Sequence, residues 1–487
     1  MSERSTTGVT APPEHASDDA PRPAGWRAAA TRLLVGRATL VAAVVLLLGS
    51  LAASVVHTTY YSELSPVDEL QHIDYLYKAP DVVRNGEKVD QDAMHEQACR
   101  TLPNFPVPPC SDTTTYDPDD FQELGTNTAA IYTPLYYTVT KAVAAPLQWV
   151  TGMESLVTAA RIVGGLWLGA GLVMTLLVAR RLGAHPYPTA GLLLAAAVTP
   201  NVLLPAATIT PDAAALLAGA SLVWAVLWWE ERPGARRLWL PVVLGLAVVA
   251  LKALNVVVVV LVALYVVLRL LQRYAWPRDT DGEDRPGRAV RDRLAALRPG
   301  PSLGQSVTLV AVVSVVALGG AVGYVLFSSA NAVASSAGVS MADRVRADSF
   351  PVVQLVEHVG VFLNVFYAPG WWVTVPVLGP LVQNVVGMVT FAGTFAAAFL
   401  VREVPRRGRT LAVSLLVVGL VGAPLIIAFS YVSQGMFVPI PGRYALTLVP
   451  AGLALAAATL QRRPAQVVVG LGGLGLWALV VGWMLLH

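Results

Sequence analysis

The sequence predicts an all-α, polytopic membrane protein, and three observations predict it. Only 13% of the 487 residues are charged, against 55% apolar, whereas a soluble globular chain carries roughly a quarter charged residues. The apolar residues gather in runs near the ~20 residues that cross a hydrocarbon core of ~30 Å. Segments of ~10 residues with alternating polarity are absent, which argues against a transmembrane barrel.

Taken in order, residues 1–37 read as a disordered cytoplasmic tail, rich in Ser, Thr, Pro, Ala and acids at its start. The first apolar run starts near Val41 without a small-residue cleavage site, and Arg27, Arg32 and Arg37 precede it. It is therefore a signal anchor rather than a cleaved signal. Spans are expected at 38–56, 156–178, 189–207, 212–229, 238–251, 254–271, 306–328, 379–401, 410–430, 444–460 and 465–486, about eleven in all. The stretch 238–271 reads either as one long helix or as a hairpin broken at Lys252 and Asn255. The hairpin puts 24 of the 34 basic residues in the cytoplasm. One long span would turn the seven arginines of 272–305 outward, against the positive-inside rule.

This topology gives an N-terminal transmembrane module at 38–271 and a C-terminal one at 306–487, joined by a solvated cytoplasmic linker at 272–305. The linker has no phosphate-binding P-loop or GxGxxG element. Two extracytoplasmic loops result, 57–155 and 329–378, and the first holds 15 acidic and five basic residues. A loop that long needs its own structure or a function. A short helix is expected at VDELQHIDYLYKA, and an amphipathic helix along the membrane surface at YTPLYYTVTKAVAAPLQWV. The only cysteines, Cys99 and Cys110, lie in this loop. Outside the cell they pair as a disulfide; two free thiols or a metal pair are the alternatives, with no second Cys pair to complete a zinc site.

Candidate chemistry sits at the outer membrane face. In SPVDELQHIDY, Asp68, His72 and Tyr75 share one helical face, with Glu69 next to Asp68. A carboxylate there can take a proton from a hydroxyl; equally, Ser65 caps the helix and the two acids complement its dipole. Asp212 begins the fourth span, where capping is the bland alternative. Lys252 and Asn255 interrupt the hairpin, and an ionisable residue at membrane depth is a functional candidate, with a snorkelling lysine as the alternative. Arg443 enters span ten from outside, where a fixed guanidinium suits a phosphate or a carboxylate; an ion pair with a loop acid is the other reading. Trp371 and Trp372 suit stacking on a sugar ring, or interface anchoring. An anionic lipid head group held by Lys252 and Arg443, with a base across the cavity, accounts for all these residues at once.

SPVDELQHIDY after the first span resembles the acidic "DE" signature of the GT-C superfamily of membrane glycosyltransferases. More closely, the chain resembles a bacterial branch of multi-span proteins grouped as a domain of unknown function. That branch pairs P-D-E-x-x-H with P-P-L-Y-Y, N-P-D-A and G-R-Y-x-L-x-x-P. Here VDELQH (67–72), TPLYY (133–137), TPDA (210–213) and GRYALTLVP (442–450) stand in that order, departing at Val67, Thr133 and Thr210.

The resemblance implies transfer of a monosaccharide from a polyprenyl-phosphate donor, with inversion, on the extracytoplasmic face of the plasma membrane. Asp68 would be the general base with Glu69 beside it. Arg443 and Lys252 would hold the donor phosphate. His72, Tyr136, Asp212, Asn255, Trp371, Trp372 and Tyr444 would line the substrate site. Some superfamily members bind a divalent cation near the loop-one acids. The acceptor is a glycan, a lipid or a protein, with no nucleic acid involved. Arginine-, alanine- and valine-heavy usage associates with a GC-rich actinobacterium, where arabinofuranose and mannose are the usual lipid-linked sugars of cell-wall assembly. The rivals are a lipid-linked sugar flippase or other transporter, a polysaccharide polymerase using an oligosaccharide diphosphate lipid, and a non-catalytic envelope-assembly protein. A transporter would show broken central helices and repeat symmetry.

Overall fold

The computed structural model describes residues 25–66, 68–274, 300–333 and 345–487. Among these residues the chain is helical, with isolated bridges and no strands. The first helices are α1 (Gly25–Tyr60), α2 (Glu69–Lys78), α3 (Gln91–Arg100), α4 (Leu135–Thr151) and α5 (Leu156–Arg181). Next come α6 (Pro186–Ala197), α7 (Pro200–Ala206), α8 (Ala215–Glu231), α9 (Ala235–Leu251) and α10 (Val256–Tyr274). The C-terminal part holds α11 (Leu303–Ala330), α12 (Val352–Glu357), α13 (Leu378–Phe399), α14 (Arg406–Gln434), α15 (Val449–Thr459) and α16 (Arg463–Leu486).

The chain is polytopic. Eight of the expected spans are helices long and apolar enough to cross a membrane alone. The other three depart from full-length crossings. The span expected at 189–207 is the pair α6 and α7, bent by 74°. Thr199 is extended (φ −72°, ψ 143°), because the ring of Pro200 disfavours helical geometry in the residue before it. The expected spans 238–251 and 444–460 are the 17-residue α9 and the short apolar stretch Gly442–Ala458. Most of the 272–305 linker, the tail before Gly25 and part of the 329–378 loop lie outside the described residues. The tail boundary moves, since α1 is helical from Gly25 rather than from residue 38. Loop one holds the two helices read from its sequence, α2 and α4, and a further one, α3. Cys99 and Cys110 are disulfide-bonded.

Helix α5 is the hub, packed on α1, α4, α8 and α15. Small residues allow this closeness, as usual between membrane helices. A Cβ on Gly164 would stand 1.9 Å from the carbonyl oxygen of Ala206, so α7 sits directly on the α5 backbone. Gly219 of α8 does the same for the 3-10 turn Gly442–Leu448, where a Cβ would lie 1.9 Å from the Thr447 carbonyl oxygen. That turn carries Arg443. At the far ends of α5 and α8, Glu231 pairs with Arg181 (2.6 Å) and Arg407 (3.0 Å), and Glu230 with Arg269 (2.7 Å). The arginine-rich end and the loop-one end are therefore opposite ends of the bundle.

Candidate functional site

The loop-one end begins with an ion pair that the sequence reading missed. Arg161, one turn into α5, is completely buried. It donates from Nε to Glu69 Oε1 (3.0 Å) and from Nη2 to Oε2 (2.8 Å). It also donates to the carbonyls of Tyr61 (3.2 Å) and Glu63 (2.7 Å). Glu69, equally buried, accepts further bonds from the backbone N–H of Ser65 (2.6 Å) and of Ile209 (3.0 Å). The signal was available: an arginine inside the otherwise apolar LVTAARIVGGLWLGAG is an intramembrane charge.

Asp68 stands differently from its neighbour. Helix α2 opens at Glu69, and Asp68 precedes it in the left-handed region (φ 53°, ψ 23°) with no side-chain capping bond. It therefore leaves the helical face expected to join it to His72 and Tyr75. A non-glycine residue in that conformation is uncommon and costs backbone energy. Asp68 is solvent-accessible. Burial in its surroundings nevertheless raises its carboxyl pKa; Arg443 opposes the rise, Glu123 adds to it, and Lys252 opposes it.

Asp212, Lys252 and Arg443, from three separate segments, meet in one group whose two cations act electrostatically on Asp68. Lys252 is extended where α9 breaks into α10 and is 3% exposed, so it does not snorkel. Its ammonium donates to Asp212 Oδ1 at 2.5 Å. Asp212 does not cap the turn at Pro211–Ala214: Thr210 does, accepting from the Asp212 N–H, and this leaves the Asp212 carboxylate free to bind cations. Arg443 Nε lies 3.8 Å from Asp212 Oδ2, beyond hydrogen-bond distance, and the guanidinium makes no hydrogen bond among the described residues.

Aromatic faces hold both cations. The Arg443 guanidinium lies 4.7 Å over Trp372 and 5.4 Å from Tyr444, and the Lys252 ammonium 4.4 Å over Tyr444 and 5.7 Å from Tyr132. Trp372, Arg443, Tyr444, Lys252 and Tyr132 thus alternate ring and cation. Two buried amides fix the backbone of residues 365–368, just before Trp372. Asn201 donates to the carbonyls of Val365 (2.8 Å) and Tyr367 (2.5 Å), and Gln383 accepts from the Ala368 N–H (3.0 Å).

His72 Nδ1 is 2.7 Å from the Tyr137 hydroxyl. Burial, reinforced by Lys252, pushes its pKa down to about 3, so the ring is neutral at physiological pH. Tyr136 is fully buried and edge-on to Tyr137. Asn255 donates to the Val248 carbonyl (3.1 Å) across the α9–α10 break, which engages it in the fold. The side chain of Trp371 lies outside the described residues.

The described residues hold no preformed group of three metal-ligating side chains beside Lys252 and Arg443. Among the described residues, the one group of three His, Cys or acidic residues with metal-ligand spacing is His95, Cys99 and Cys110, and its two sulfurs are bonded to each other. The Glu69 oxygens are already engaged by Arg161 and two backbone N–H groups.

No curated protein matches the chain. The family described as "Predicted membrane protein (DUF2142)" matches residues 107–451. The match takes in TPLYY, TPDA and GRYALTLVP together with Asp212, Lys252, Trp372 and Arg443, and begins downstream of Asp68. It spans well over half of the sequence, and the chain belongs to this DUF2142 family of predicted membrane proteins.

Proposed function

We propose that this protein is a glycosyltransferase of the GT-C kind. It would move a monosaccharide from a polyprenyl-phosphate donor to a hydroxyl acceptor, with inversion, at the extracytoplasmic face. The observation that carries this reading is the unfilled hydrogen-bonding capacity of two cations. Arg443 has five N–H donors and no hydrogen bond among the described residues, and of the three Lys252 donors one reaches Asp212. Fixed, partly desolvated donors of this kind are suited to an oxyanion. Their place at one end of a membrane bundle suits an oxyanion carried on a lipid. The arginine-rich opposite end supports an extracytoplasmic site by the positive-inside rule.

The chemistry follows from the facing groups. The acceptor hydroxyl gives its proton to Asp68 as its oxygen bonds to the anomeric carbon. The bond from that carbon to the phosphate oxygen breaks on the opposite face, which inverts the configuration. The lipid phosphate leaves with the electron pair, and Arg443 and Lys252 stabilise its charge. A carboxyl pKa raised by burial strengthens Asp68 as a base. Arabinofuranose and mannose are the first sugars to try, and a cell-envelope glycan is the first acceptor.

The bend between α6 and α7 favours a second reading, a flippase for lipid-linked sugars, because transporters use discontinuous helices at their sites. One experiment separates the two. The purified protein is incubated with a panel of short-chain polyprenyl-phosphate sugars, and lipid phosphate release is followed by mass spectrometry. Release by wild type with one donor, reduced about 10²–10⁴-fold in Asp68→Asn, is expected. No release from any donor, with sugar-lipid transport in proteoliposomes, would establish the flippase instead.

A further inference from the structure

We infer that Arg161 and Glu69 form a positioning pair that couples the two halves of the site, holding Asp68 on one side and the Thr210–Asp212 turn on the other. This inference rests on the transferase reading for its catalytic meaning, but its structural core stands independently.

The bonds of the pair reach three separated pieces of chain. Arg161 gathers the Tyr61 and Glu63 carbonyls just beyond α1. Glu69 takes the Ser65 N–H, tying Ser65 to the residue next to Asp68. The same carboxylate takes the Ile209 N–H, one residue before Thr210, which caps the turn presenting Asp212. Asp68 lies in the left-handed region without a capping bond of its own. Its conformation therefore depends on the segments at either side, and Glu69 is the next residue. One buried ion pair thus sets the backbone of Asp68 and the turn of Asp212 together.

A well-packed apolar pair often replaces a buried ion pair at no loss of stability. The pair here also bonds five backbone groups, the carbonyls of Tyr61, Ser62 and Glu63 and the N–H groups of Ser65 and Ile209, which an apolar pair could not do. Both oxygens of its carboxylate are consequently occupied within the fold rather than open to a substrate. That separates the two acids of VDELQH, with proton transfer at Asp68 and positioning at Glu69. Arg161 belongs with Glu69, as a residue acting through its neighbours.

The test is amide hydrogen exchange on the full chain in detergent, comparing wild type, Glu69→Gln, Arg161→Lys and Asp68→Asn. Both conservative variants should lose protection at 61–72 and at 207–212 together, and Asp68→Asn should lose it at neither. Loss confined to one segment, or no loss, overturns the coupling whether or not a donor substrate has been found. With a donor in hand, Glu69→Gln should lower kcat about 10–100-fold, a larger effect than its rise in donor KM through the loosened Asp212 turn. The acid limb of the pH–rate profile should survive, because Asp68 still carries it. Loss of that limb in Glu69→Gln would make Glu69 the base and overturn the positioning role. Absence of turnover in wild type would sink the transferase reading alone.

Discussion

Two charged groups at the same end of this bundle are built in opposite ways. The Arg161–Glu69 pair is fully buried and saturated, with Glu69 accepting two side-chain and two backbone bonds. The Arg443–Asp212–Lys252 group offers one carboxylate to two cations, and aromatic rings take the place of hydrogen-bond partners. Saturation suits a joint, since every donor and acceptor is committed to the fold. Unsaturation suits a receptor, since the unfilled donors gain most when an anion arrives. The presence of charge at membrane depth does not separate these roles; the accounting of partners does.

Substitutions sharpen that contrast. Arg161→Met leaves the Glu69 carboxylate buried without its cation and should destabilise the protein by about 3–5 kcal/mol. Thermal unfolding in detergent checks it, and a loss below about 1 kcal/mol would place this pair outside the frame of the fold. Arg443→Gln removes a cation held by stacking and should cost far less stability, but it should act on Asp68. Burial raises the Asp68 pKa and Arg443 restrains the rise. On the proposed transferase reading Asp68 must be ionised to act as base, so wild-type turnover should fall as pH drops through a value above the ordinary carboxylate range near 4. In Arg443→Gln that limb should move to higher pH, and an unmoved limb would separate Asp68 from the cation site. His72, with its pKa near 3, should add no limb between about pH 5 and 8. The smallest effect should come from Trp372→Leu, which removes one face of the guanidinium stack and should weaken lipid phosphate binding about 3–10-fold.

Much of this arrangement was legible in the sequence, and the rest had physical reasons not to be. Hydropathy located all eight helices that are long and apolar enough to cross a membrane among the described residues, because crossing length and apolarity are local properties. The break at Lys252 was legible because an arginine-rich segment had to return to the other side. The bend at Thr199 had its own signal in Pro200, but span counting averages over such a residue. The pairing of Lys252 with Asp212 was hidden, since it joins residues 40 apart through tertiary packing. Asp68 and Glu69 are adjacent in sequence and chemically similar. Their division came only with the fold, when Arg161, 92 residues further on, engaged one of them. The expected helical face through Asp68 failed because α2 starts one residue later.

The most direct test of this account is the affinity of the full-length protein for a short-chain polyprenyl phosphate. Thermal stabilisation of wild type, Arg443→Gln and Glu69→Gln would be measured under identical conditions. The account predicts that Arg443→Gln weakens binding about 10-fold or more, while Glu69→Gln, which loosens the Asp212 turn but leaves both cations in place, weakens it clearly less. Equal losses in both variants, or none in Arg443→Gln, would contradict the division between a saturated joint and an unsaturated anion site.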